Sequence, residues 1–179
     1  MALSITPKFT REQLREIIKT RMDKIEMAAI SRLQFVGEKF VTNARNNGAY
    51  KDRTGNLRSS VGYVIMKDGV QIAANWKVFP AVDQKAKNAG IGVEKGQEAI
   101  DEIAKELTAK YPKGLILIGV AGMDYAAAVE AGNYRAGYEG GTYVVDGPGR
   151  DVITASSIQA AADLKKGFEE LQSKIAQMK

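Results

Sequence analysis

The chain has 179 residues, of which 45% are hydrophobic and 26% charged, with a net charge of +5 and a pI near 9.3. These are globular values for a length that suits one domain with a sizeable core, and they exclude disorder across the whole chain. There is no cysteine and no histidine, which excludes disulfides, thiolate metal sites and Ser–His or Cys–His catalysis, and leaves carboxylate-only chemistry with magnesium open.

The first residues, Met1-Ala-Leu-Ser-Ile-Thr-Pro-Lys8, lack the basic segment and long apolar core of a secretory signal. Residues 10–47 then predict a long helix or a helix pair. Leu14, Ile18, Met22, Ile25, Ala29, Leu33, Val36 and Phe40 recur at steps of three or four, the spacing of one helix face. Thr10 with Gln13 forms a capping-box pattern, and Asn46-Asn47-Gly48 is a stop.

The next loop, residues 50–60, offers Thr54 or Asn56 as the cap of a short helical turn, with Leu57 expected buried and Arg53 and Arg58 exposed. A hairpin follows over residues 62–74, turning at Lys67-Asp68-Gly69, because Asp-Gly between β-favouring runs is a strong hairpin signal. In residues 76–92, Trp76, Val78 and Phe79 suggest a strand end, residues 83–88 are polar, and Gly90 and Gly92 bracket a loop. A helix is predicted from about Val93 or Gln97 to Lys110, burying Ile100, Ile103, Ala104 and Leu107, and ended by Tyr111-Pro112.

Residues 115–120 are apolar throughout and predict a strand covered on both faces, central in its sheet. The apolar run here is far below the ~20 residues that span a bilayer, so the protein is expected to be made and kept in a cytoplasm or packed into a particle assembled there. Asp124 is a candidate cap for a helical turn closed by Gly132. Residues 133–150, rich in glycine, predict a long loop or ribbon with a short strand at 142–145. From Ser156 on, Ala161, Leu164, Phe168, Leu171, Ile175 and Met178 form a heptad-like seam, with Ser156 and Gln159 as a second capping box. Together these elements predict an α+β domain over 1–179, with long N-terminal and C-terminal helices packed on a small antiparallel or mixed β-sheet, a loop and helix at 76–112 and a glycine-rich arm at 133–150.

Little in the chain points to catalysis. Gly90-Ile-Gly92-Val-Glu-Lys-Gly96 follows no clear strand and has the wrong spacing for a dinucleotide fingerprint, and there is no P-loop. Asp124 and Glu130 are two carboxylates without a third ligand, so a cap and a surface charge explain them better than a metal site. Tyr134, Tyr138 and Tyr143 lie among glycines and Arg135. That interleaving suits stacking on single-stranded nucleic acid, and it suits a protein interface better, because tyrosine supplies contact area at low entropy cost.

Two segments carry a resemblance. Thr54-Gly55-Asn56-Leu57-Arg58-Ser59-Ser60 resembles the "T-G-x-L-x-x-S" segment of the gene-10-like neck and tail-completion family of tailed phages, which follows a long N-terminal helix there as here. Tyr125-Ala-Ala-Ala-Val129-Glu130-Ala-Gly132 resembles that family's "Y-A-x-x-V-E-x-G" segment, which follows an apolar strand. The resemblance covers roughly residues 10–75 and 113–175; the segment 76–112 and the length of the glycine-rich stretch depart from it.

The resemblance implies a structural subunit of the head–tail connector, with no catalysis and no cofactor or metal, that forms a homo-oligomeric ring, expected as a hexamer. It implies a place in the virion between head-completion or portal-side proteins and tail-tube proteins, with genomic DNA passing through the lumen without sequence-specific binding, and no membrane. Arg53, Thr54, Arg58, Trp76, Glu130, Arg135 and Tyr138 are the candidate ring and partner contacts. The alternatives are a basic nucleic-acid-binding module and, less well supported, a magnesium enzyme using Asp124 and Glu130.

Overall fold

A computed structural model describes residues 9–48, 50–83, 89–138 and 141–177, without the side chains of 133–143, 145 and 146. The first helix, α1 (Arg11–Asn47), is one unbroken rod and not a pair. Its start is the expected capping box: Gln13 N donates to Thr10 Oγ1 at 3.2 Å, and Thr10 N donates to Gln13 Oε1 at 2.8 Å. Its end differs in mechanism from a left-handed glycine cap. Gly48 is extended (φ −60°, ψ 114°), and the Tyr50 ring occupies the space a side chain there would need.

A single turn, α2 (Asn56–Ser60), leads into β1 (Val61–Lys67) and β2 (Val70–Asn75). Asp68 (φ 49°) and Gly69 (φ 80°) make the two-residue, left-handed turn that matches strand twist. After α3 (Gly92–Lys110), the strand β3 (Leu115–Ala121) runs antiparallel to β1, from Val61 opposite Ala121 to Lys67 opposite Leu115. The sheet order is β2-β1-β3, so β3 lies at an edge and β1 is central. The uniform apolarity of β3 reports cover on both faces, which is present, and not its place in the sheet. Leu115 and Leu117 pack with α1 and the last helix, whereas Ile116, Ile118 and Val120 pack with α3.

The core is therefore two apolar layers on either side of β1. Val61, Tyr63 and Ile65 face Leu33, Phe40, Val41 and Ala44 of α1. Val64 and Met66 face Ile100 of α3, with Ala104 and Leu107 beside it. Full burial of a Val or Ile side chain contributes about 1.5–3 kcal/mol, so β1, with six consecutive buried residues, is the strand around which the sheet is stabilised. The 76–112 segment thus supplies, through α3, the whole second layer. Ile103, expected on the buried face, is exposed; the stripe that meets the sheet is Ile100, Ala104 and Leu107.

The helix α4 (Ala126–Ala131) ends at Gly132, as its φ of 69° requires, and feeds the ribbon β4 (Gly132–Tyr138) and β5 (Gly141–Pro148). The ribbon is a separate two-stranded sheet in which Arg135 lies opposite Val144 and Tyr138 opposite Gly141. The last helix, α5 (Thr154–Gln177), starts two residues before the expected box. Ser156 is buried inside it, and its first amides are met by carboxylates from upstream: Ala155 N donates to Asp151 Oδ1 and Thr154 N to Glu130 Oε1. Its seam on α1 runs through Ala160, Leu164 and Phe168, with Ala161 exposed and Met178 outside the described residues. The result is an α+β fold, with long N-terminal and C-terminal helices on a small three-stranded antiparallel sheet.

Candidate partner-binding surface

The loop before β1 spends nearly all its polar groups inside the chain. Gly55 sits at φ 74° with the Phe79 carbonyl pressed against it, 2.3 Å from where a Cβ would stand, so both conformation and space demand glycine. Asn56 N donates to Thr54 Oγ1 and Arg58 N to the buried Asp52 carboxylate at 2.8 Å. Asp52 therefore does the capping work that Thr54 or Asn56 was expected to do alone. Asn56 Oδ1 accepts from Gly90 N, Ser59 Oγ accepts from Phe79 N, and the Arg53 carbonyl accepts from Val82 and Asp83. Residues 54–60 thus clamp the connection that leads to α3.

The candidate contact residues divide accordingly. The Arg53 side chain is exposed, as expected, and Thr54 is half-buried. Arg58, expected exposed, is half-buried because its Nε donates to the Arg45 carbonyl at 3.0 Å and its guanidinium lies 5.3 Å from the centre of the Tyr50 ring. Trp76 is a wedge between β1 and α3: its ring fills the places where side chains at Gly62 and Gly96 would be. Glu130 is committed to the start of α5, and Asp124 is exposed and caps nothing, since Ala126 N donates to the Met123 carbonyl instead. The side chains of Arg135, Tyr138, Tyr134 and Tyr143 lie outside the described residues.

The two segments that carry the resemblance meet. Tyr50 and Leu57 from the first region pack with Met123, Ala126 and Val152, and Tyr125 and Val129 close the cluster. Beside it lies a cavity of about 330 Å³ between Asp52, Arg53 and Thr54 on one wall and Tyr125, Val129 and Val144 on the other. Burial pushes the Tyr50 hydroxyl up to about 12, against the pull of Arg58.

A second polar chain runs along α1. Glu38 accepts from the Tyr63 hydroxyl (2.8 Å) and from Asn75 Nδ2, Asn75 Oδ1 accepts from Arg45 Nη1, and Arg45 Nη2 donates to the Val61 carbonyl. Arg45 is buried, and desolvation lowers its pKa while Glu38 opposes the shift. Glu38, Asn75 and the two terminal nitrogens of Arg45 are thus paired within the chain, while the buried Arg45 Nε meets no acceptor among the described residues.

What the sequence did not show is the bare end of α1. The ion pairs Lys39–Asp163 and Arg32–Glu170 advance seven residues along each helix in opposite directions, so α1 and α5 are antiparallel. Gln177, seven residues past Glu170, falls opposite Ile25. The Glu26–Lys67 ion pair ties the hairpin tip at the same level. Residues 11–24 therefore extend about 21 Å beyond the other described residues, at 1.5 Å per residue.

The apolar stripe does not stop where the body stops. Leu14, Ile25 and Val36 are eleven residues apart, as are Ile18, Ala29 and Phe40, and Met22, Leu33 and Ala44. Eleven residues make three turns at 3.67 per turn, so the stripe runs almost straight along the helix. Its inner half is buried, from Ala29 at 8% to Val36 at 2%; its outer half is bare, with Leu14 at 42%, Ile18 at 53% and Met22 at 60%. The spacing places all of them on one helix face and cannot tell that no described part of α5 lies opposite the outer three. Comparison with protein-family models, curated proteins and solved structures finds no match to this chain.

Proposed function

We propose that this chain is a non-enzymatic structural subunit of a tailed-phage head–tail connector, acting as a homo-oligomeric ring of neck or tail-completion type. The ring sits in the virion between head-completion or portal-side proteins and tail-tube proteins. Genomic DNA passes through its lumen without sequence-specific contacts. The class comes from the resemblance of residues 54–60 and 125–132. The observation that carries assembly is the bare stripe of Leu14, Ile18 and Met22 on a helix whose other half uses the same face as core. An apolar face of this kind marks an interaction site, and a four-turn helix without tertiary contact is marginal in water.

The side-chain chemistry suits the same reading. The polar groups of the two segments position the backbone and leave no nucleophile activated. The experiment is complementation: purified protein is added to separately assembled heads and tails that lack it, and joined particles are counted by electron microscopy. Joining that depends on the added protein supports the reading; joining without it removes the reading. The alternative, a nucleic-acid-binding module, requires affinity that falls steeply with salt, and a DNA titration at low and high salt separates the two.

A further inference from the structure

Arg45 is a buried cation without a counter-charge in contact. It is 6% exposed, and its terminal nitrogens donate to neutral oxygens only, the Asn75 side-chain carbonyl and the Val61 carbonyl. No ion pair among the described residues includes it, and its Nε meets no acceptor there. Glu38 acts on it through space, with Asn75 bonded to both. The C-terminal end of α1 adds at most about half an elementary charge. Buried arginines are ordinarily paired, because an uncompensated charge in a low dielectric is costly.

Arg45 lines a cavity of about 380 Å³ between the last turns of α1 and the chain that leaves β2. The polar groups around this cavity divide in two. Glu38 and Asn75 are spent on each other, on Tyr63 and on Arg45. The side chains of Thr42, Asn46 and Lys77 also line it, and they make no hydrogen bond or ion pair among the described residues. Lys77 is exposed, and its amine stands 5.2 Å from the centre of the Phe79 ring. The Arg45 guanidinium carbon stands 5.9 Å from the same ring. Phe79 and Trp76 supply the apolar wall.

The charge balance selects the ligand. Arg45 and Lys77 against Glu38 leave one positive charge in excess, which a monoanion cancels; a phosphate dianion would leave net negative charge beside Glu38. A carboxylate accepts from an ammonium, an amide and a hydroxyl together. The volume falls in the range of small-molecule sites, about 300–1,000 Å³, so the acid group must carry a body. We propose that this cavity binds a small organic monocarboxylate. Lys77 and Asn46 hold the acid group, Arg45 is the counter-charge behind them, and the body lies against Trp76 and Phe79. Binding supplies the charge that the fold leaves out at Arg45, and so it stabilises the chain. This site is independent of the connector reading.

Trp76 is the only tryptophan of the chain and lines the cavity, so its emission is a built-in reporter. The full chain is titrated with phenylacetate, followed by Trp76 fluorescence and by calorimetry. The expected result is a saturable change in emission, one ligand per chain and a raised Tm. Benzyl alcohol, which has the ring without the charge, should do nothing, and inorganic phosphate should bind more weakly than phenylacetate. Lys77→Ala alters an exposed side chain, so circular dichroism is expected to show a folded protein. It should weaken phenylacetate about tenfold, as for one lost charge-assisted hydrogen bond, and Lys77→Arg should restore most of the affinity. No heat and no emission change with phenylacetate into the millimolar range overturns the proposal. So does Lys77→Ala protein that binds as the wild type does, or benzyl alcohol that binds as well as the acid. Tighter binding of phosphate overturns it in favour of a phosphate site. Binding of the peptide acetyl-Phe-Glu-amide without binding of phenylacetate overturns it in favour of an acidic protein partner.

Discussion

Arg58 turns back across its own loop to place Nε 3.0 Å from the carbonyl of Arg45, so that two arginines from the end of α1 and from α2 brace the entrance to β1. Arg45 in turn donates to the carbonyl of Val61, the first residue of the central strand. The bracing makes Arg58 a stability residue before it is a contact residue. Arg58→Glu is expected to cost about 1.5–3 kcal/mol, the range for a lost hydrogen bond from a charged donor. Urea denaturation checks it, and an unchanged midpoint would mean that the brace carries nothing.

Trp76 is the chain's single tryptophan and is seated on Gly62 and Gly96. Trp76→Ala is expected to cost about 3 kcal/mol, the lower end for removing a large aromatic, because the ring is half-buried. Since its fluorescence reports the β1–α3 contact alone, the emission should move to longer wavelength in step with loss of the far-ultraviolet circular dichroism. Emission that shifts earlier would show α3 leaving the sheet before the rest unfolds.

Glu130 couples α4 to the start of α5 through a 2.9 Å bond from Thr154 N. Replacing it with Ala is expected to cost about 1 kcal/mol, as for other lost helix caps, and Glu130→Gln, which keeps an acceptor oxygen, should cost less. Thermal melts of the two variants check the order.

Tyr50 gives a pH signature. Its hydroxyl is neutral and buried in the fold, with a pKa raised from 10.0 to about 12. Folding therefore opposes ionisation, and the associated stability is intact below pH 10 and is lost as pH rises from about 10 to 12. Tyr63 is shifted in the same direction by burial and by Glu38. Tyr50→Phe should flatten part of that alkaline decline and leave the rest, as followed by urea midpoints against pH.

The sequence and the structure agree where the signal is local. The Thr10–Gln13 box, the Asp68-Gly69 turn and the Gly132 stop are set by neighbours within a few residues, and all three are present. They part where the outcome depends on distant chain. The run 115–120 specifies a strand with two covered faces but carries no mark of being an edge. Ser156 and Gln159 have the spacing of a cap, yet Asp151 and Glu130 reach the α5 amides first and move the start upstream. Ile103 and Ile100 look alike on a helical wheel, and only the sheet's position decides which is buried. Arg58 was readable as a surface charge because nothing in its neighbourhood announces the Arg45 carbonyl thirteen residues away. The bare stripe is the same problem at larger scale: Leu14, Ile18 and Met22 repeat, eleven residues earlier, the pattern of Ile25, Ala29 and Leu33, and the difference lies in which of them the described part of α5 faces.

The most direct test of the connector reading is the mass of the full chain in solution, measured by light scattering over a range of concentrations and joined to electron microscopy of the same sample. The expected result is a concentration-dependent step from monomer to a closed ring, seen alone or on addition of head-completion and tail-tube proteins. A chain that remains monomeric at every concentration, alone and with those partners, would contradict it.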